Sequence, residues 1–323
     1  KIRLIGRSTI FFKIKNLHKA LLFLLSIGII AVVLGKAAHA QTNNDNPRVL
    51  LVTAHPDDDA LFSATVFKIN HLLDGITDLA IITNGEGGYN YSTLGEYFYD
   101  TELDTEEAGR SKLPGIRKME VMRGGNIVGI RNYYFLDQVD DKLSQDISSP
   151  FNLWDIEFVK QRLKELMITE TYDYVFVMLL GKSTHAHHKV SALLALQAAQ
   201  EIELSERPVV LGGSIRAKSD TTQTTPNQFD DIEDTYPVTH LMEGVEPLEF
   251  DRTQTFGYDN RLNYKIVVNW VIAEHKSQGT MQLLMNGGDV EQYWYFDING
   301  SEKYKQTARF FKRINRAKIY DEP

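Results

Sequence analysis

"LLVTAHPDDDALFSATVF", residues 50–67, sets His55, Pro56 and three consecutive aspartates, Asp57, Asp58 and Asp59, between two apolar runs. The run before them, "RVLLVTA" (48–54), is continuous, the pattern of a strand buried on both faces of a sheet. After them Phe62, Val66, Ile69 and Leu73 recur at helical spacing, and "DLAIITN" (78–84) is a second buried run. The stretch therefore predicts strand–helix–strand, the unit of a parallel sheet. Three adjacent carboxylates at the end of a buried strand repel one another through a weakly screening medium, so a positive partner is expected there.

The same alternation continues along the chain. "YDYVFVMLL" (172–180) is a third buried run, leading into "GKSTHAHH" (181–188) and then a helix marked by Val190, Leu193, Leu194 and Ala198. "NYYFLD" (132–137) and "PVVLGGS" (208–214) read as further strands. Helices are expected over 116–130, from Ile156 through Leu166, and around 262–278 with Trp270 inside. Residues 85–115, which include "GEGGYNYSTLGEYFYD" (85–100), read as a long loop, and 215–256 as a polar excursion. Strands alternating with helices predict an α/β fold with an open, mostly parallel sheet. Ligands in such sheets bind beyond the carboxyl ends of the strands, where "HPDDD" and "THAHH" both fall.

Residues 1–40 are of a different character. Lys1, Arg3, Arg7, Lys13, Lys15 and Lys19 precede an uncharged, mostly apolar run from Ala20 to Gly35, and "KAAHAQ" follows with Ala38 and Ala40 in an A-x-A arrangement. This reads as a secretory signal peptide cleaved after Ala40, with a retained membrane anchor as the alternative. The expected organisation is signal peptide 1–40, polar linker 41–47 and a single domain 48–323, secreted or periplasmic, with no membrane span after cleavage. Without residues 1–40 the chain carries 28 basic and 43 acidic residues, net −15, which disfavours nucleic acid as a partner. The absence of cysteine excludes a thiolate metal site, a catalytic thiol and lipidation at a lipobox. The sequence carries no signal of oligomeric state.

His55 sits just past the first strand, Asp58 three residues on, and His188 at the start of the helix after the third buried run. Two imidazoles and one carboxylate suit a divalent ion with open positions for water and substrate. Asp57 can hold a water and take its proton, and Asp59 can act behind it. Each aspartate alone also reads as a helix cap, and His185, His187 and His188 as a surface triplet. The two clusters together at two strand ends favour the metal.

These residues resemble the PIG-L/LmbE family of deacetylases. "AHPDDD" (54–59) is similar to its AHPDDE signature, and "THAHHKVSA" (184–192) to its second motif, usually H-x-D-H before a short apolar helix. "TNGEGG" (83–88), "LPGIRKMEVMRGGNIVGI" (113–130), "EHKSQ" (274–278) and "EQYWYF" (291–296) follow the family's order. The resemblance implies a Rossmann-like fold with helices on both faces of the sheet and a metal site at the carboxyl ends of its strands. It implies a zinc-dependent hydrolase, with iron(II) as the other suitable metal, that removes acetyl from an N-acetylglucosamine-type amino sugar or glycan. By position His55, Asp58 and His188 resemble the metal ligands and Asp57 the general base. His185 resembles the histidine that stabilises the tetrahedral intermediate when protonated. Arg117, with Glu120 in an R-x-x-E pattern, resembles a substrate contact. Two departures stand out: Asp59 replaces glutamate, and His187 replaces the aspartate of H-x-D-H, so that His185 lacks its usual acidic neighbour. Tyr89, Tyr91, Tyr97, Phe98 and Tyr99 are candidates for stacking on a sugar. A metal hydrolase of another amide or ester, and a carbohydrate-binding pseudoenzyme, are the competing readings.

Overall fold

In the first strand, β1 (Arg48–Thr53), Leu50 and Val52 point to one face of a sheet while Val49 and Leu51 point to the other. Both sets are buried, which is why the run is unbroken by polar residues. The computed structural model describes residues 46–220, 232 and 234–319. The expected signal peptide, residues 41–45 of the expected linker, and 221–231 and 233 of the polar excursion lie outside the described residues. Pro47, the last residue of that linker, is already tied to the fold, because its carbonyl accepts from Ile76 N at 2.8 Å.

After β1 come α1 (Ser63–Leu72), β2 (Ile76–Thr83), α2 (Thr93–Tyr99), α3 (Glu106–Val128) and β3 (Ile130–Gln138). The second half runs α4 (Ile156–Thr169), β4 (Tyr174–Met178), α5 (Ala186–Gln200), β5 (Val209–Arg216), β6 (Leu248–Asp251), α6 (Lys265–Glu274), β7 (Val290–Tyr295) and α7 (Tyr304–Arg316). The sheet order is β3–β2–β1–β4–β5–β7–β6. The first five strands in this order are mutually parallel; β7 runs antiparallel to β5, and β6 antiparallel to β7. Helices α4 and α5 cover one face, and α1, α3, α6 and α7 the other. Chain order reverses between β1 and β4, the switch point at which such sheets bind ligands.

Three expectations are revised. The span 85–115 is not one long loop: it holds a 3-10 turn at Glu86–Tyr91, then α2 and the start of α3. Helix α3 begins at Glu106, capped by Thr105 Oγ1, which accepts from Ala108 N. The late helix is shorter than expected, Lys265–Glu274. Among the described residues no helix is long and apolar enough to cross a membrane.

One buried charge stands apart from the strand ends. Lys68, on the inner face of α1, is fully buried, donates to Gln254 Oε1 at 2.8 Å, and lies 4.8 Å from the Tyr264 ring centroid and 5.0 Å from that of Phe250. Burial lowers its pKa to about 8, from an ordinary 10.5. The unfolded chain therefore holds this proton more tightly, and folding stability contributed through Lys68 rises as pH goes from about 8 to 10.5. Below that window burying the charge costs on the order of 3 kcal/mol. Lys68→Met is expected to stabilise the fold at neutral pH by about 1–3 kcal/mol and to flatten this rise. Urea unfolding of both proteins at neutral and alkaline pH measures it; a destabilised variant would refute the assignment.

Candidate metal centre

The turn after β1 holds Asp58 from below. Its Oδ2 accepts from Ala54 N at 3.0 Å and His55 N at 2.8 Å, so the carboxylate is fixed by the backbone that also carries His55. At the start of the following 3-10 turn, Asp57 in the capping position makes no side-chain cap bond. Asp59 turns the opposite way, into the interior, where His275 Nε2 lies 3.2 Å from its carboxylate at the end of α6. Burial disfavours the charged form of His275, but the Asp59 carboxylate outweighs it and raises the pKa.

Beyond β4 the chain turns through Gly181–Thr184, and His185, His187 and His188 occupy the cap and first turn of α5. Because β4 lies beside β1, these residues meet the first cluster. His188 Nε2 is 2.9 Å from His55 Nδ1 and 3.1 Å from Asp58 Oδ1, and His55 Nδ1 is 3.6 Å from Asp58 Oδ2. Ligand atoms about 2.0–2.2 Å from a tetrahedral ion lie roughly 3.3–3.5 Å apart. The donor set and its spacing thus fit a divalent cation. Burial raises the carboxyl pKa of Asp58, but His188 and His55 outweigh it and hold it well below the usual range.

The third strand end supplies residues that sequence reasoning missed. Asp140 and Asp141 follow β3, which reaches the site through β2. His187 is buried; its Nε2–H donates to Asp141 Oδ1 at 2.8 Å, and its Nδ1 lies 3.1 Å from His55 Nε2 and 3.3 Å from Asp140 Oδ1. With His55 Nε2 held against His187, Nδ1 is the nitrogen that faces Asp58 and His188, and an ion bound there would displace its proton. A ligating histidine whose far nitrogen is held in this way has a fixed tautomer and orientation. Burial opposes a charge on His55, but Asp140, Asp58 and Asp57 overcome it and raise its pKa to about 9. His187 is therefore not a direct substitute for an aspartate beside His185; it relays two carboxylates to His55.

Burial, then the charges of His55 and His187, lower the pKa of His185 to about 4, so the ring is neutral at neutral pH. Its Nε2–H donates to Lys142 O at 3.1 Å, and the ring stacks on His55 with centroids 5.2 Å apart. His55, His185 and His187 also bring one nitrogen each within 4.8 Å of one another, a second set that shares His55 with the first.

Arg117 and Asp57 complete the wall. Arg117, buried in α3, places Nη2 2.8 Å from Asp57 Oδ1 and donates through Nη1 to Gly85 O at 2.6 Å. Both side chains line a cavity of about 560 Å³ together with His55, Asp58, His185 and His188. Glu120, expected beside Arg117 as a substrate contact, does not reach that cavity. It is fully buried and accepts from Ser277 N, Ser277 Oγ and Tyr99 OH, all within 2.6–2.7 Å. Of the aromatic candidates in 89–99 only Tyr91 lines the cavity. Gly85 has φ +72°, and a Cβ there would lie 2.6 Å from Arg117 Nη1 and 2.8 Å from Pro56 Cδ. Gly85→Ala is expected to cost about 1–2 kcal/mol of stability through backbone strain and at least ~10-fold in kcat/KM through the displaced arginine. Urea unfolding and initial rates on the same preparation check both effects.

Residues 50–199 match the PIG-L family, described as GlcNAc-PI de-N-acetylase. No curated protein sequence matches the chain. Among solved structures, the A40926 pseudoaglycone deacetylase is similar at 14% identity and TM-score 0.47, covering 78% of this chain and 97% of that one. The N,N'-diacetylchitobiose deacetylase of Pyrococcus horikoshii is similar at 15% identity and TM-score 0.40, over 82% and 90%. The 4-carboxy-2-hydroxymuconate hydratase of Pseudomonas putida is similar at 13% identity and TM-score 0.45, over 85% and 92%.

Proposed function

We propose, for a chain that belongs to the PIG-L family through residues 50–199, that His55, Asp58 and His188 hold a zinc ion and that Asp57 is the general base of a hydrolytic deacetylation. The chain is a deacetylase of acetylated amino sugars. The observation that carries the residue assignment is the convergence of two imidazoles and Asp58 beside the Asp57–Arg117 pair in one cavity. A bound divalent ion supplies a water of lowered pKa and a Lewis acid for the amide carbonyl; iron(II) also suits this ligand set.

The remaining work falls to side chains. Asp57 uses one carboxylate oxygen on Arg117, which leaves the other to take the proton of the attacking water. Arg117 is a fixed positive charge, held by Gly85 O, beside the place where negative charge develops on the amide oxygen. Asp57, having taken the water's proton, can return it to the leaving amine, while neutral His185, its Nε2–H engaged by Lys142 O, presents Nδ1 only as an acceptor at the cavity wall. Asp141, His187 and Asp140 keep His55 in one orientation. The basic stretch, apolar run and A-x-A site of residues 1–40 support export, and so an extracytoplasmic glycan as substrate.

The test joins metal content to acetate release. Protein comprising residues 41–323 is assayed for bound metal and for deacetylation of N-acetylglucosamine oligomers before and after chelation. Chelator-sensitive acetate release, restored by zinc, is expected. Bound metal with no acetate release would overturn the reading in favour of another amide or an ester.

A further inference from the structure

The last helix carries a charge pattern that the metal centre does not use. Along one face α7 buries Thr307, Phe310, Phe311 and Ile314. On the other face Lys305, Arg309, Lys312, Arg313 and Arg316 are all exposed. They recur at steps of four, three, one and three residues, which places them in a single stripe about 16 Å long. No acid falls between Lys303 and Ile319, in a chain that without residues 1–40 is net −15. The stripe is therefore a local field opposite in sign to the molecule as a whole, and it attracts anions to one edge.

The end of the stripe meets a second cavity, of about 750 Å³, which shares no lining residue with the first. Asn315 and Arg316 form part of one wall. Another is a short hairpin after β6, in which Thr255–Phe256 pairs with Leu262–Asn263. Its tip is strained: Gly257, Tyr258, Asp259 and Asn260 are consecutive residues with φ of +50°, +32°, +55° and +57°. Such outliers cluster at ligand sites. Tyr264 lines the same cavity and is 2% exposed. Its hydroxyl has no partner among the described residues and is open to the cavity. A buried hydroxyl of this kind is costly unless a ligand completes it. Tyr258, 71% exposed, offers a ring beside it, and Asp259 and Asn260 offer acceptors for hydroxyls. We propose that this cavity and the α7 stripe form a non-catalytic binding site for an acidic polysaccharide, with one sugar ring against Tyr258 and Tyr264 and the charges of the next units along Arg316 to Lys305. A carboxylate at Asp259 suits sugar hydroxyls and disfavours a phosphate backbone, and among the described residues α7 exposes no large apolar side chain to enter a bilayer. The site is independent of the deacetylase reading, because no residue of the metal centre takes part.

Calorimetry on the zinc-loaded protein tests it, with a galacturonic acid hexamer and a heparin hexasaccharide as probes and maltohexaose as the uncharged control. A cation close to a polyanion is worth about fivefold in binding. The acidic probes are therefore expected to bind at least ~30-fold tighter than maltohexaose, and to weaken by about 10-fold or more as salt rises from low to high. The triple variant Arg309→Glu, Lys312→Glu, Arg316→Glu is expected to lose about 100-fold or more. Tyr264→Phe, which removes only the hydroxyl, is expected to lose about fivefold. Both variants are expected to melt with the wild type, since neither change breaks a contact in the fold. Probes that fail to bind the wild type at low salt, or that bind the triple variant equally, would overturn the proposal. Binding that Tyr264→Phe leaves unchanged would overturn it too, by removing the cavity from the site. So would anionic phospholipid vesicles or double-stranded DNA bound as tightly as the probes, since either would make the stripe a membrane or nucleic-acid surface.

Discussion

Asp57→Asn is expected to retain its metal and to lose about 10³-fold in kcat, within the range a positioned general base contributes. The two properties separate because the residue stands beside the ligand set and not in it. His55, Asp58 and His188 form the proposed set, while Asp57 lines the cavity and pairs with Arg117 Nη2 at 2.8 Å. Asparagine is nearly isosteric, and its amide oxygen still accepts from Arg117, so Gly85 and the α3 wall keep their places. What it lacks is a second oxygen able to take a proton. Metal analysis, unfolding and initial rates on one preparation test this. Full turnover with bound metal would remove Asp57 from the chemistry. Loss of metal together with activity would show that Asp57 holds the ion after all.

The parts of this arrangement legible in the sequence are those with a physical signature over several residues. "RVLLVTA", "DLAIITN" and "YDYVFVMLL" read as strands because β1, β2 and β4 are buried on both faces at the centre of the sheet, where the middle positions Leu50–Val52, Leu79–Ile82 and Val175–Val177 are all apolar. Their ends read as a site because charge there has no other reason to accumulate. Asp140 and Asp141 carried no such signature. They follow the edge strand β3, whose pattern mixes exposed and buried positions, and they matter only because β3 lies beside β2. The start of α3 was hidden for a related reason. Its first turns, from Glu106 to Lys112, are largely polar, with one fully buried residue at Gly109, and Pro114 interrupts the pattern. The R-x-x-E spacing put Arg117 and Glu120 on neighbouring faces, but the sequence does not say which side of the helix is cavity. Only packing does: Arg117 turns toward Asp57, and Glu120 toward Ser277. The neutral state of His185 was likewise invisible, since it follows from three neighbouring imidazoles and burial.

Asp58→Asn is expected to fold and to lose the ion. The wild-type carboxylate has two jobs on two oxygens. Oδ2 accepts from Ala54 N and His55 N, which shapes the turn, and Oδ1 lies 3.1 Å from His188 Nε2, where the proposed ion would be held. Asparagine keeps one oxygen for the backbone donors, so the turn after β1 survives. Its amide nitrogen then points two hydrogens at the ion's position and removes the negative charge there. Zinc affinity is expected to fall by more than ~10²-fold, since a ligand lost costs at least what second-sphere partners do, and deacetylation to fall with it. Thermal unfolding distinguishes a lost ligand from a damaged fold. The proposed zinc is expected to raise the melting temperature of the wild type, as any ligand of the folded chain alone does. The variant is expected to melt close to the chelated wild type and to show no rise with zinc. A variant that still binds zinc tightly would place the ion on the other set, His55, His185 and His187. One that melts far below the chelated wild type would make Asp58 a structural residue first.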